Sequence, residues 1–371
     1  MSDTDHLRWL SRADLSGAGV TPRKATGLLL ASPLAEVVAP LDDKDLETAI
    51  AITSTTMAAA GIGSEDRVVI ALANDGELTG GIYAQAAARI SEAVVGVGPR
   101  GRMRLLKTLE ALRATVLVIT PTGAQDFLAR LHMEFLVDPL DLELRQLVLM
   151  GEISDPKAFR HLAREFGAEI VELFADPLTG IPVAHRRPTS TEAEWQSLGA
   201  LSELHLAPIA VDQVAEAPFP AGALEYVVRH PWHSTLGSTA LRSGLVAVVD
   251  DQTKGMPAPS QTVGDHILIR GRWLSLTRLT NAMRAIDGIT RLRLEIDRKG
   301  TLDTASVRVT FGRESLTGNP MWKGRIEQAL HDLTPIHIDV IIEAGVEESP
   351  EPLQVVDHRG HHLSRDRVSV S

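Results

Sequence analysis

The chain has 371 residues, 44% hydrophobic and 23% charged, and a formal net charge of -11. That length is enough for two domains and a sizeable core, and the negative balance excludes a nucleic-acid binder, which needs Lys and Arg against phosphate. With no cysteine, disulfides, thiolate nucleophiles and Cys-ligated zinc are also excluded.

Residues 1–15 are polar and mixed in charge, without the apolar segment of a signal peptide. No apolar run reaches the roughly 18 residues of a membrane span. The expected location is the cytoplasm, with no membrane partner.

Residues 45–60 read as a helix, begun after Asp42 and Asp43 and stopped at Gly61 and Gly63. Residues 67–72 read as a buried strand, 80–90 as a helix of small residues and 93–97 as a second strand. A helix follows over 102–113, with Met103, Leu105, Leu106, Leu109 and Leu112 as its apolar positions, and then a strand over 115–119. The alternation continues with a strand at 145–150, a helix at 156–166 and a strand at 169–174. Continuous Val/Ile/Leu strands between helices predict a covered, largely parallel sheet. Residues 250–262, DDQTKGMPAPSQT, read as a linker. Beyond them, strands at 266–269, 292–296, 306–311 and 336–342 and helices at 276–286 and 322–333 predict a compact α+β domain.

Several stretches, in a shared order, resemble phenylacetate–coenzyme A ligases of the adenylate-forming superfamily. The run from Ala58-Ala59-Ala60-Gly61 to Arg67-Val68 resembles that family's helix, turn and strand. Gly76-Glu77-Leu78-Thr79-Gly80-Gly81 resembles its G-L-F-T-G-G turn. The segment from Leu144-Arg145 through Gly151-Glu152 to Phe174 follows its strand, G-A-E turn, helix and strand. Asp265-His266-Ile267-Leu268-Ile269-Arg270-Gly271 resembles its D-M-L-I-I-R-G hinge.

The resemblance implies an α/β adenylate-forming ligase fold with an N-terminally truncated large domain. It divides the chain into a remnant over 1–26, an AMP-binding-like large domain over 27–250, a hinge over 251–264 and a small α+β C-terminal domain over 265–371. It implies a hinge residue at Asp265 and a substrate site at Asn74, Asp75, Leu78, Tyr83, Gly151, Glu152, Phe174, Ala175 and Asp176. For Asn74, Asp75, Leu78 and Tyr83, packing of a helix and turn is the plain alternative. The family tendency to dimerise implies a homodimer.

Adenylation builds negative charge at phosphorus, so it needs a phosphate cradle, a metal and a cation. Where the family has S-S-G-T-T-G-K-P, this chain has Leu29-Leu30-Ala31-Ser32-Pro33-Leu34-Ala35-Glu36-Val37-Val38, without Gly or Lys and with an acid that repels phosphate. The stretch reads as an apolar packing segment. Where the family has Y-G-x-T-E, this chain has Phe174-Ala175-Asp176-Pro177-Leu178, so Leu178 offers a hard cation no oxygen. Asp176, displaced within the motif, reads as a turn residue.

In place of R-T-G-D stands Arg242-Ser243-Gly244-Leu245, which lacks the ribose-binding Asp. The Arg that the family places just before the hinge is Thr262 here, and Glu351 stands where the family has its C-terminal Lys. No Lys follows Lys323, and the cations Arg325 and Arg359 lie outside the motif. No catalytic residue, metal or cofactor is therefore expected, and ATP, Mg²⁺ and CoA only with residual ligase activity. The expected role is a non-catalytic one, binding a small acyl or aryl ligand or a partner enzyme. The alternatives are an acyltransferase using a preactivated acyl group and a divergent acid–CoA ligase.

Gly96-Val97-Gly98-Pro99-Arg100-Gly101 fits G-x-G-x-x-G, but the next strand ends at Ile119-Thr120-Pro121 without the acid a dinucleotide site needs. It reads as a strand-to-helix turn. His230-Pro231-Trp232-His233 and His358-Arg359-Gly360-His361-His362 have no third ligand in view and read as solvated histidines. No G-x-S-x-G elbow supports a hydrolase.

Overall fold

The computed structural model describes residues 7–17, 27–33, 37–153, 155–188, 194–199, 201–251, 253, 255–300, 302–346 and 353–363. Glu36 and Glu351, both named above, lie outside the described residues. The chain divides into Met1–Ser260 and Gln261–Ser371.

The first unit runs β1 (Arg8–Leu10), α1 (Arg12–Gly17), β2 (Leu28–Ala31), β3 (Val38–Leu41), α2 (Asp43–Ala59), β4 (Arg67–Ile70), α3 (Gly80–Ala87), β5 (Ala93–Gly96), α4 (Arg102–Leu112), β6 (Val116–Ile119) and α5 (Pro121–Arg130). It continues with β7 (Gln146–Met150), α6 (Pro156–Phe166), β8 (Glu169–Ala175), β9 (Pro182–Arg186), β10 (Gln196–Ser197), β11 (Glu203–Pro208), β12 (Gly222–Arg229) and β13 (Thr239–Val249). Local signals set the helix ends. In α6, Asp155 accepts from the Lys157 N–H, Pro156 takes the first helical position and Gly167 ends the helix with φ +61°, each the residue type its position favours.

The main sheet has the order β10-β9-β8-β7-β6-β4-β5. All neighbours from β8 to β5 are parallel, whereas β9 and β10 join antiparallel at one end. Side chains alternate between its faces, as the pleat requires. Val68, Ile70, Val116, Val118, Val148 and Val171 enter one core, which they share with Ile52 and Met57 of α2 and Tyr83 of α3. Val69, Leu117, Ile119, Leu147, Leu149 and Ile170 enter the other, with Leu105 of α4, Phe127 of α5 and Phe159 of α6. Burial on both faces is why these strands read as unbroken apolar runs.

A second sheet runs β1-β13-β12-β11, with β11, β12 and β13 antiparallel and β1 parallel to β13. The expected packing segment around Leu29 and Val38 is an antiparallel pair, β2 with β3. Its Leu30 and Val37 are buried, but Leu28 and Leu29 are exposed.

The second unit contains β14 (Gln261–Thr262), β15 (His266–Ile269), β16 (Arg272–Ser275), α7 (Leu276–Arg284), β17 (Ile289–Lys299), β18 (Leu302–Phe311), α8 (Glu314–Thr317), α9 (Pro320–Leu333), β19 (Ile338–Val346) and β20 (Gln354–Asp357). Its sheet has the order β19-β18-β17-β20, and Met283, Leu294, Val307, Phe311 and Ile326 fill its core. Among the described residues no helix is long and apolar enough to cross a membrane.

Candidate functional site

Two turns meet in the first unit. One leaves β4 and leads into α3, and the other leaves β8. In the first, Asp75 Oδ1 accepts from the backbone N–H groups of Glu77 (3.1 Å) and Leu78 (3.3 Å). Asn74 Oδ1 accepts from Gly81 N–H at 3.0 Å. Thr79 sits at φ +43°, a strained place for a β-branched residue. Its hydroxyl donates to the Gly180 carbonyl at 3.1 Å, fastening the first turn to the second. Gly180 has φ +67°, and a Cβ there would lie 2.8 Å from the Thr79 side chain.

The second turn is organised by Asp176, which is 0% exposed. Its Oδ1 accepts from Leu178 N–H (3.1 Å), and its Oδ2 from the Thr179 hydroxyl (2.9 Å) and from His230 Nε2 (3.0 Å). Trp232 gives its indole N–H to Ser202 Oγ at 3.2 Å, which leaves the Ser202 hydroxyl proton for His230 Nδ1 at 3.1 Å. The network thus assigns the Nε2–H tautomer to His230. Burial pushes the Asp176 carboxyl up, but the hydrogen bond from His230, with those from Leu178 and Thr179, outweighs it and holds it below the usual carboxylate range. Ser202, His230 and Asp176 stand in the order of a hydrolase triad. All three are buried, so the line is a core hydrogen-bond chain.

His233, like His230, lies between β12 and β13. Its Nδ1 accepts from the backbone N–H groups of Thr235 (3.2 Å) and Leu236 (3.3 Å) and lies 3.8 Å from Asp45. Burial, only partly countered by Asp45, holds its pKa at about 4. The reading of His230 and His233 as solvated is corrected. Pro231 keeps them off a helix, but both rings turn inward to satisfy buried acids and turn amides. In the second unit His358 is exposed, but His361 and His362 are half-buried and burial lowers the pKa of both, so the solvated reading is corrected for them too.

The sequence-expected site residues do not all converge. Leu78 is buried close against Gly151, whose φ is +84° and whose added Cβ would meet Leu78 at 2.7 Å. Tyr83 is fully buried in the core, which raises its hydroxyl pKa well above normal. Glu152 turns to the start of α5, where it accepts from the Thr122 N–H (2.9 Å) and hydroxyl. A carboxylate suits a helix N-terminus. Phe174 packs on Tyr226 (4.9 Å between centroids) and edge-on to Trp195 (5.5 Å). Ala175, half-buried, ends β8. Beside them the buried Glu172–Arg186 pair lies under Trp195, the guanidinium 4.8 Å from the ring. Burial raises the Glu172 carboxyl and Arg186 only partly offsets it.

The stretch resembling R-T-G-D lies inside β13. Arg242 binds Glu225 (2.8 Å) and Asp212 (2.9 Å) and stacks on Trp9 at 4.9 Å, and Leu245 is buried. In the second unit, Asp265 accepts from Ser275 Oγ (2.9 Å) and from the N–H (3.1 Å) and hydroxyl (2.6 Å) of Thr277, pinning the first turn of α7. Arg359 is buried between Asp303 and Asp357, and Arg325 stacks on Trp322.

These side chains do not fit Mg-ATP. Leu178, 2% exposed, brings no oxygen, both Asp176 oxygens are engaged, and the cations named above already have partners. Among the described residues no group of three His, Asp or Glu is placed to hold a metal.

Sequence reasoning missed Arg12. Its guanidinium donates to Glu77 Oε1 at 3.0 Å and to the Pro177 carbonyl, joining both turns. The available signal was Ser11 with Asp14 three residues on, a capping-box spacing. In the structure Asp14 accepts from both the N–H (2.7 Å) and hydroxyl (2.6 Å) of Ser11.

No family model and no curated protein sequence matches the chain. Solved structures do. A 2-hydroxyisobutyryl-CoA ligase in complex with 2-HIB-AMP and CoA superposes with TM-score 0.79 at 15% identity, over 97% of this chain and 82% of that one. An o-succinylbenzoate CoA synthetase from Bacillus subtilis gives 0.61 at 12% identity, over 88% and 68%. The amide bond synthetase McbA from Marinactinospora thermotolerans gives 0.61 at 16%, over 87% and 66%. The chain therefore has the adenylate-forming ligase fold that these CoA ligases and this amide bond synthetase share.

Proposed function

We propose that this chain keeps the adenylate-forming framework without the adenylation step and acts by binding, either to a partner enzyme or to a small acyl or aryl ligand. The observation that carries this reading is the state of the turn after β8. Where the family motif presents Thr and Glu to phosphate and Mg²⁺, the chain has Pro177 and a core-packed Leu178, and its one carboxylate, Asp176, is buried on His230. A carboxylate so engaged gives up three hydrogen bonds before it can take a metal, each worth about 1–3 kcal/mol when a charge is involved. Preorganised charge supplies most of the catalysis in such reactions, and here it is internally satisfied.

Isothermal titration with Mg-ATP, followed by a pyrophosphate-release assay with a panel of acyl and aryl acids, tests the reading. No saturable heat and no pyrophosphate are expected. Tight Mg-ATP binding with acid-dependent pyrophosphate release overturns it and makes the chain an acid–CoA ligase with divergent motifs.

A further inference from the structure

One short segment touches two of the places in the first unit where a family motif has changed, and also the family-like turn at Glu77. β1 lies along the edge of β13 in parallel register, with Trp9 opposite Ala240 and Leu10 opposite Leu241. Trp9 covers the Arg242 guanidinium of the altered R-T-G-D stretch. Leu10 and Leu15 enter the same core as Leu78 and Leu178. Arg12, 5% exposed, reaches the carboxylate of Glu77 in one turn and the carbonyl of Pro177 in the other.

We propose that residues 7–17 are an internal ligand, and that Glu77 with the Pro177 carbonyl forms a recognition site for an alkyl guanidinium. The external ligand of that site is a peptide that pairs with β13 as a short strand, carries an arginine three residues after its tryptophan and turns helical there, and replaces the segment in trans. This deepens the binding role proposed above and rests on it.

The chemistry is that of arginine recognition. A planar guanidinium presents several N–H donors at once, and here a carboxylate and a backbone carbonyl accept them from two different turns. Lysine, a single point of charge, does not span both acceptors in the same way. The β13 edge adds main-chain pairing, which is how sheets capture extended peptides. Trp9 adds a flat ring over Arg242, an aromatic–guanidinium contact. The ladder and the ring recognise the strand, and the fork recognises the first residue of the helix that follows it.

The test uses the full chain carrying Arg12→Ala, which weakens its own segment, and a fluorescent synthetic peptide of residues 7–17. Anisotropy titration without nucleotide should show saturable binding. It should be at least about tenfold tighter than to the unaltered protein, whose site is filled, since a buried arginine anchor is commonly worth that much. The same peptide with alanine at the Arg12 position should lose that gain, as should adding Glu77→Gln to the protein. Equal binding of the two peptides overturns the proposal. If Arg12→Ala does not fold, recovery after dilution from urea is compared with and without millimolar methylguanidinium. Several-fold better recovery with methylguanidinium than with methylammonium supports the site, and no difference overturns it. Neither readout involves ATP, so a failure here is distinct from ATP binding, which would sink the reading above.

Discussion

The turn after β8 and the turn at Asp265 both stand where the family likeness is drawn, and their acids do different work. Asp265 still does a task any folded chain needs, since it accepts the hydroxyls of Ser275 and Thr277 and fixes the start of α7. The turn after β8 holds Pro177 and a buried Leu178, and its acid points inward onto His230. At Asp265 the acid serves the backbone of a helix start, and at the turn after β8 the acid serves a buried hydrogen-bond chain. The two acids therefore differ in what their loss should cost.

The largest effect is expected at Asp176. Asp176→Ala leaves the His230 and Thr179 donors without their acceptor in a dry interior, and each buried group so orphaned typically costs about 1–3 kcal/mol. Urea unfolding of the variant measures it, and a loss below about 1 kcal/mol would erase the contrast with Asp265.

Acid comes next. His233 in the folded protein has a pKa of about 4 against an ordinary 6.5, so the unfolded chain binds its proton first. Stability is then full above about pH 6.5 and is lost as pH falls toward 4, by about 3 kcal/mol at the linkage rate of 1.36 kcal/mol per unit. Protonation places a hydrogen on Nδ1, against the amides of Thr235 and Leu236. Below pH 4, protonation of Asp176, held under its usual value, adds a further loss. Urea midpoints from pH 7 to pH 4 follow this, and His233→Asn should flatten the slope of the first unit. His362 in the second unit is likewise held at about 4 by burial, so a probe placed in the first unit is needed to separate the two.

Asp265→Ala is the smallest change. Losing a helix-start acceptor costs about 1 kcal/mol, and the fall should be confined to the second unit by hydrogen exchange of α7. A loss equal to that of Asp176→Ala would mean that Asp265 is also a core linchpin.

Much of the framework was legible because it is written locally. The α6 helix announces itself through Asp155, Pro156 and Gly167, and the strands β4, β6 and β7 through runs buried on both faces. The antiparallel sheet was harder. β13 reads TALRSGLVAVV, and its Arg-Ser-Gly centre suggests a loop motif rather than the middle of a strand. β11 alternates half-buried and buried positions over only its first four residues. The site was partly legible by what it lacked, since Leu178 and Leu245 can be seen from sequence alone. What replaced the chemistry was not, because His230 lies 54 positions from Asp176 and Arg12 lies 165 from Pro177. Side chains that far apart meet only through tertiary packing, and a turn of His-Pro-Trp-His carries no local mark of burial.

The strand that delivers Asp176 is held on both flanks, parallel to β7 from Glu169 to Leu173 and antiparallel to β9 from Glu172 to Ala175. Laddered on each side, β8 cannot slide or tilt on its own, so whatever follows it is presented at fixed coordinates. New chemistry at that position would be reached by exchanging a few side chains on a stationary mount. The scaffold preserves an address even where the occupant has changed.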